Sequence, residues 1–311
     1  MIEPALPPAV SLRGLSKRYG ERVVVDDLTL DVPAGVVAGF VGPNGAGKTT
    51  TMAMLLGLVS PTAGSGTVLG APLRDPAAYL AGVGALIEGP AFYPGLSGAQ
   101  NLAVLATAAG HDRAQIPGLL DRVGLAQRAQ DRVRGYSFGM KQRLGIAAAL
   151  LGDPGLLILD EPINGLDPAG VHEMRGLIGR LASGGRTVLV SSHVLAELEQ
   201  VSDWVIVIAE GRLVFQGPAA ELLDQPGASL VVATERPGDL GRLRELLAAL
   251  GHGGVVRDGG LEIAVDGADP RGLAATVNRA AADGGIVLAE LHVARRSLED
   301  RYLTMVGGDE R

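Results

Sequence analysis

One stretch limits what this chain can fold into more than any other: Gly42-Pro-Asn-Gly-Ala-Gly-Lys-Thr-Thr50. It fits G-x-x-x-x-G-K-[ST], a phosphate loop that needs a buried strand before it and a helix after it. Val36 to Val41 is an apolar run of strand length, and Thr49 to Leu58 reads as a helix. In that setting Gly42, Gly45 and Gly47 let the backbone curl so that several N–H groups face phosphate oxygens. The helix N-terminus behind them adds partial positive charge. The nucleotide-binding set is then Gly42, Pro43, Asn44, Gly45, Ala46, Gly47, Lys48, Thr49 and Thr50. Lys48 is placed to reach the β- and γ-phosphates and the Thr49 hydroxyl to bind Mg²⁺. The competing reading is a glycine-rich turn that happens to end in Lys-Thr. Against it, the chain has 27 basic residues, of which only Lys17, Lys48 and Lys141 are lysines.

At 311 residues the chain suits two domains. A net charge of −7 argues against a nucleic-acid binder that works by neutralising phosphates. The chain has no cysteine, which excludes disulfides, thiolate metal sites and cysteine nucleophiles. Met1-Ile-Glu-Pro4 does not open a basic-then-apolar leader, so no signal peptide is expected. No stretch reaches the ~18 apolar residues of a spanning helix. These features predict a soluble, cytoplasmic protein that reaches a membrane only through a partner.

Taken in order, Val10–Leu12, Arg22–Val25 and Leu28–Leu30 are short strand-like runs ahead of the loop. Tyr19 on this leading hairpin reads equally as a strand-end tyrosine or as a ring that stacks on adenine. Thr67–Leu69 and Gly82–Ile87 predict further strands. Glu88-Gly-Pro-Ala-Phe-Tyr-Pro94 then breaks regular structure, and its two aromatics suit either an exposed contact surface or packing under a helix. Residues 96–134 read as helical, with Ser97 capping a helix that runs to Gly110. Tyr136–Arg143 leads into the apolar helix Leu144–Leu151, and Ser137 is well placed as an N-cap.

Leu156-Leu-Ile-Leu-Asp-Glu161 is the second strong signal: a core strand with two carboxylates at its C-terminal end. Open parallel sheets bind ligands there. Asp160 is expected to hold Mg²⁺ through water, and Glu161 to orient or deprotonate the attacking water. The competing reading is a solvated turn. A helix at Ala169–Leu181 and a strand at Arg186–Val190 lead to His193, a candidate γ-phosphate contact on the same sheet edge. The other four histidines read as surface residues. From Ser229 the pattern becomes strand, helix, strand, strand, helix, strand, the ferredoxin-like order, followed by a helix at Leu298–Met305.

Gly42–Thr50, Ser137-x-Gly139, Leu156–Glu161, Leu166-Asp167 and His193, in this order, resemble the ATP-binding subunit of ABC transporters. The resemblance covers about residues 9–220. It implies an α/β P-loop NTPase fold of ABC type for an ATPase domain at 9–224, with the helical stretch as an insert at about 88–150, and the pattern from Ser229 sets off a C-terminal α+β domain at 225–311. It implies ATP and Mg²⁺ as ligands, with Glu161, His193 and Lys48 catalytic. It implies a head-to-tail homodimer in which Ser137 and Gly139 of one copy contact the ATP on the other, and Asp167 communicates across the interface. Tyr19 would stack on adenine. An integral membrane permease would be the partner, holding the chain on the inner face of the membrane.

Two segments depart from the usual pattern. The signature is Tyr136-Ser-Phe-Gly-Met140 rather than Leu-Ser-Gly-Gly-Gln, and Glu88 stands where a glutamine near the metal is usual. The segments 85–94 and 136–143, with Ser297-Leu-Glu-Asp300, are similar to the ABC-2-like branch that includes bacitracin- and lantibiotic-type export ATPases. The competing function is a soluble ATPase of the same fold, mechanical or regulatory, acting on a macromolecular partner.

Overall fold

A computed structural model describes residues 7–194, 198, 200–224, 228–257, 259–265 and 269–295. The chain divides into two compact units, with the division between Ala220 and Glu221.

The first unit is built on a six-stranded sheet. Its strands are β3 (Val37–Val41), β6 (Val83–Leu86), β7 (Leu156–Leu159), β8 (Thr187–Ser192), β9 (Trp204–Ala209) and β10 (Arg212–Pro218). Their order is β10-β9-β3-β8-β7-β6, parallel throughout except for the terminal β9–β10 hairpin. Every residue of β3, β7 and β8 is buried. This explains their unbroken apolar runs, because a parallel sheet covered on both faces has no polar side to alternate with.

One covering layer is a second, antiparallel sheet. It contains β1 (Val10–Tyr19), β2 (Arg22–Val32), β4 (Ala63–Val68) and β5 (Ala71–Pro72), in the order β2-β1-β4-β5. Leu12, Leu15 and Leu28 from this sheet join Phe40, Ile158, Leu189 and Ile206 in one core with Met52 and Leu55 of helix α1 (Lys48–Leu55). The three short runs foreseen at 10–30 are thus two long strands. Register shifts between Leu12 and Lys17 interrupt the period-two pattern that would have revealed their length.

On the far side, helices α2 (Gly98–Ala109), α3 (Ile116–Arg122) and α4 (Phe138–Ala149) fill the stretch between β6 and β7. Helix α5 (Pro168–Ala182) packs on β3 and β8, burying Met174, Leu177, Ile178 and Leu181. Helix α2 begins at Ser97 in a capping box with Gln100 and stops at Gly110 in the left-handed region, as its sequence predicts. Residues 110–137 are less helical than the sequence suggests. Only α3 is α-helical there, and the remaining turns are 3₁₀. Tyr136 pins this stretch: its hydroxyl donates to the Arg128 carbonyl at 2.6 Å. Burial of the phenol, with Asp131 nearby, pushes its pKa up. Phe92 is half-buried and Tyr93 is 63% exposed, so the two aromatics of the 88–94 loop divide between the two readings.

Helix α6 (Ala219–Asp224) spans the division between the units. The second unit carries β11 (Ala228–Thr234), β12 (Gly254–Arg257), β13 (Gly260–Ala264) and β14 (Leu288–Arg295), antiparallel in the order β12-β13-β11-β14. Helices α7 (Asp239–Ala249) and α8 (Pro270–Asp283) contribute Leu243, Leu247, Val277 and Ala281 to its core beside Leu230, Val232 and Ile263. The helix expected at Leu298–Met305 lies outside the described residues.

Gly84 of β6 fixes how closely α4 approaches the sheet, since a β-carbon there would meet the Ala149 carbonyl oxygen. Gly84→Ala is expected to cost about 3 kcal/mol, as overpacking against backbone does. Chemical denaturation of the full chain measures the loss.

Candidate functional site

Strands β3 and β8 end level, with Val41 paired to Ser192, and β7 ends two residues earlier, with Leu159 paired to Val190. The segments that leave these ends therefore meet at one sheet edge. They are the loop Gly42–Gly47, the pair Asp160-Glu161, and His193, which follows Ser191 and Ser192 at the end of β8.

The loop curls back so that the Lys48 ammonium donates to the carbonyls of Gly42 at 2.7 Å and Pro43 at 3.3 Å. Lys48 is only 6% exposed, yet its charge is compensated, because Glu161 Oε1 lies 3.4 Å away. Asn44 and Gly45 form the exposed crest, and Pro43, Thr49 and Thr50 are half-buried. Gly47 has φ 99°, and a β-carbon on it would sit 2.7 Å from the Val24 carbonyl oxygen. No other residue fits there.

Thr49 Oγ1 donates to Asp160 Oδ2 at 2.8 Å. Asp160 Oδ1 accepts from Ser191 Oγ at 2.5 Å, and the same hydroxyl accepts from the Glu161 N–H at 2.9 Å. Glu161 Oε2 lies 2.8 Å from His193 Nδ1. The Glu161 carboxylate is therefore held between a lysine and a histidine, and its backbone has φ 48°. Positive φ at a residue with a β-carbon costs energy and persists where the surroundings enforce it. The structure thus gathers Lys48, Thr49, Asp160, Glu161 and His193 through direct contacts.

Ser191, next to the strand expected at Arg186–Val190, is the member that the sequence leaves unmarked. A small hydroxyl inside an all-buried strand was the available signal, since a buried hydroxyl needs partners.

The other predicted residues lie apart from this cluster. Ser137 caps α4 by accepting from Met140 N–H at 3.2 Å, and Asp167 caps α5 by accepting from Gly170 N–H at 2.9 Å. Together with Gly139, Leu166 and Glu173 they line a cavity of about 330 Å³. Among the described residues, none of the phosphate loop lines it. Arg143 closes one side through an ion pair with Glu173 at 3.2 Å. Tyr19 ends β1 with its ring half exposed and the Lys17 ammonium 4.8 Å from the ring centroid. Glu88 follows β6, exposed, with φ 57°, and no hydrogen bond or ion pair ties it to the cluster. Of the remaining histidines, His172 and His292 are exposed, and His111 and His252 are half-buried.

The donor set suits a nucleotide with a hard divalent cation. A hydroxyl and a carboxylate converge beside a cationic loop, and neither is soft or sulfur-based. Among the described residues no three acids or histidines form a cage that would hold a metal unaided. Mg²⁺ in phosphate-transfer sites is bound in that way, by one or two protein oxygens with the substrate's phosphates supplying the rest.

Comparison with known proteins agrees with this chemistry. A family model described as ABC transporter matches residues 25–164. The bacitracin transport ATP-binding protein BcrA of Enterococcus faecalis is 38% identical over 305 residues, spanning 96% of each chain. This chain belongs to the ATP-binding proteins of ABC transporters. The lantibiotic transport ATP-binding protein SrtF of Streptococcus pyogenes is 42% identical, over 67% of this chain and 90% of that one. A solved ATP-binding subunit of an ABC transporter matches with a TM-score of 0.61 at 32% identity, covering 69% of this chain and 91% of that one. As a member of the family the chain binds and hydrolyses ATP. ATP-binding subunits of ABC exporters pair with membrane permease subunits. Among the described residues no helix of this chain is long and apolar enough to cross a membrane.

Gly47→Ala forces a β-carbon against the Val24 carbonyl in a left-handed backbone. The substitution is expected to weaken ATP binding by about tenfold or more, which corresponds to roughly 1.4 kcal/mol of strain. Titration with a fluorescent ATP analogue reads this directly, and unchanged affinity would mean that the loop adapts.

Proposed function

We propose that this chain drives export through a separate integral membrane permease by hydrolysing ATP at two sites, each shared between two copies of the chain. The observation that carries the chemistry is the Glu161 carboxylate, fixed between Lys48 and His193 at the edge where the phosphate loop begins. In this reading the loop N–H groups and Lys48 bind the β- and γ-phosphates. Thr49 and Asp160 hold Mg²⁺, which when bound neutralises phosphate charge. Glu161 takes the proton of the attacking water as it adds to the γ-phosphorus and the bond to the β-phosphate oxygen breaks. His193 orients Glu161 through Nδ1 and reaches the γ-phosphate. Glu88, in place of glutamine, would hydrogen-bond to water around a bound Mg²⁺. Tyr19 stacks on adenine, with Lys17 beside its ring.

The separate cavity at Ser137, Gly139 and Asp167 supports a site completed in trans. Those residues converge with one another and not with their own chain's phosphate loop. The N-terminus of α4, capped by Ser137, offers N–H groups to the γ-phosphate of the other copy. Asp167 then senses the same interface. ATP closes the dimer and hydrolysis opens it, and the permease changes access with that cycle.

The relatives named for bacitracin and lantibiotic transport support a peptide-antibiotic cargo. A further relative, at 40% identity, is a Nod factor export ATP-binding protein, which supports the outward direction. We place the chain on the inner face of the membrane through its permease. The ATPase domain is taken as 9–224 with the helical insert at about 88–150, and 225–311 is an accessory module. The order β12-β13-β11-β14 with α7 and α8 as connections supports a ferredoxin-like arrangement for that module.

Two experiments test this reading. Lys48→Ala and Ser137→Ala chains mixed together are expected to recover hydrolysis that neither shows alone, because one site of each mixed dimer is intact. Failure at every ratio contradicts a shared site. Mild-detergent purification of the tagged chain from native membranes is expected to bring down a stoichiometric multi-span protein. Recovery of ribosomes or nucleic acid instead would favour the soluble mechanical role.

A further inference from the structure

Ser191 lies one residue from the end of β8 and is wholly buried. Its hydroxyl has one proton to give and lone pairs to offer, and its two neighbours fix the direction of each bond. The carboxylate of Asp160 can only accept, so Ser191 donates to Oδ1 at 2.5 Å. The N–H of Glu161 can only donate, so Ser191 accepts from it at 2.9 Å. Asp160 Oδ2 meanwhile accepts from Thr49 at 2.8 Å. Both oxygens of one acid are thus held by hydroxyls, and the backbone of the other acid is held by the same serine. Glu161 needs such a hold, since it sits at φ 48° without being glycine.

We propose that Ser191 is a positioning residue for hydrolysis: one buried hydroxyl sets the spacing and orientation of Asp160 and Glu161. This rests on the roles given to Asp160 and Glu161 above. Without the hydroxyl, a buried N–H and a carboxylate lone pair both lose their partner. Asp160 is then held only through Oδ2, by Thr49, and the Glu161 peptide can relax out of the left-handed region. The phosphate loop makes no bond to Ser191, so nucleotide binding without metal does not depend on it.

The test uses the full chain as wild type, Ser191→Ala, Ser191→Thr, Ser191→Val and Glu161→Gln. ADP binding is titrated with Mg²⁺ and repeated in EDTA, and hydrolysis of ATP is followed in a single turnover and at steady state under saturating Mg²⁺. Ser191→Ala is expected to raise the Mg²⁺ concentration for half-saturation by about 10–100-fold, the usual effect of losing a hydrogen bond that orients a ligand. Its ADP affinity in EDTA should stay at the wild-type value, and kcat should fall by a similar factor while KM holds. Ser191→Thr should restore most of both. Ser191→Val has the shape of threonine without the hydroxyl, so it separates packing from hydrogen bonding even if the alanine variant folds poorly. Wild-type Mg²⁺ dependence in Ser191→Ala, or equal behaviour of the threonine and valine variants, would overturn the proposal. Wild-type hydrolysis by Glu161→Gln would instead remove the base assigned above. The Mg²⁺ titration would still decide the role of Ser191.

Discussion

Three parallel strands paired in unbroken register are the constraint on which the site depends. β3, β8 and β7 pair in register, and each delivers a different chemical part: a phosphate loop, a serine and histidine, and two acids. The pairing is enforced by burial on both faces, because these strands hold only buried residues. A slip of one residue would turn Asp160 away from Thr49 and put a carboxylate into the core. The sheet therefore supplies the precision that loops alone would lack.

Charge placement follows from that geometry. Lys48 is buried deeply enough that an unpaired ammonium would be costly, and two carbonyls and one carboxylate compensate it. Glu161 is shared between that lysine and His193, so a cation, an acid and an imidazole form one connected line across three strand ends. Phosphates entering such a site meet donors already oriented. This is how phosphoryl-transfer enzymes obtain most of their rate, since little covalent chemistry is asked of the protein.

Much of this was legible in the sequence. The strand, loop and helix around Gly42–Thr50 and the acids ending Leu156–Glu161 carry their own physical context, and both stand at the sheet edge where expected. Ser97 and Gly110 mark the ends of α2 because capping is local chemistry. What escaped is non-local. The lengths of β1 and β2 are hidden by bulges, and the 110–137 stretch is wound into 3₁₀ turns that apolar spacing does not separate from α-helix. Ser191 escaped for a related reason: a serine's partners across a parallel sheet are set by register. Glu88 shows the reverse case. The sequence marks it as unusual, and in the structure it stands exposed beyond β6, without a bond to the acids beside it.

The central claim is that one chain holds two halves of different sites, a phosphate loop and a separate cavity at Ser137 and Asp167. The most direct test is the solution mass of the Glu161→Gln chain by light scattering, with and without saturating ATP and Mg²⁺. The account predicts a mass of 31.8 kDa without nucleotide and twice that with it. A particle that stays at 31.8 kDa while ATP is demonstrably bound would contradict it.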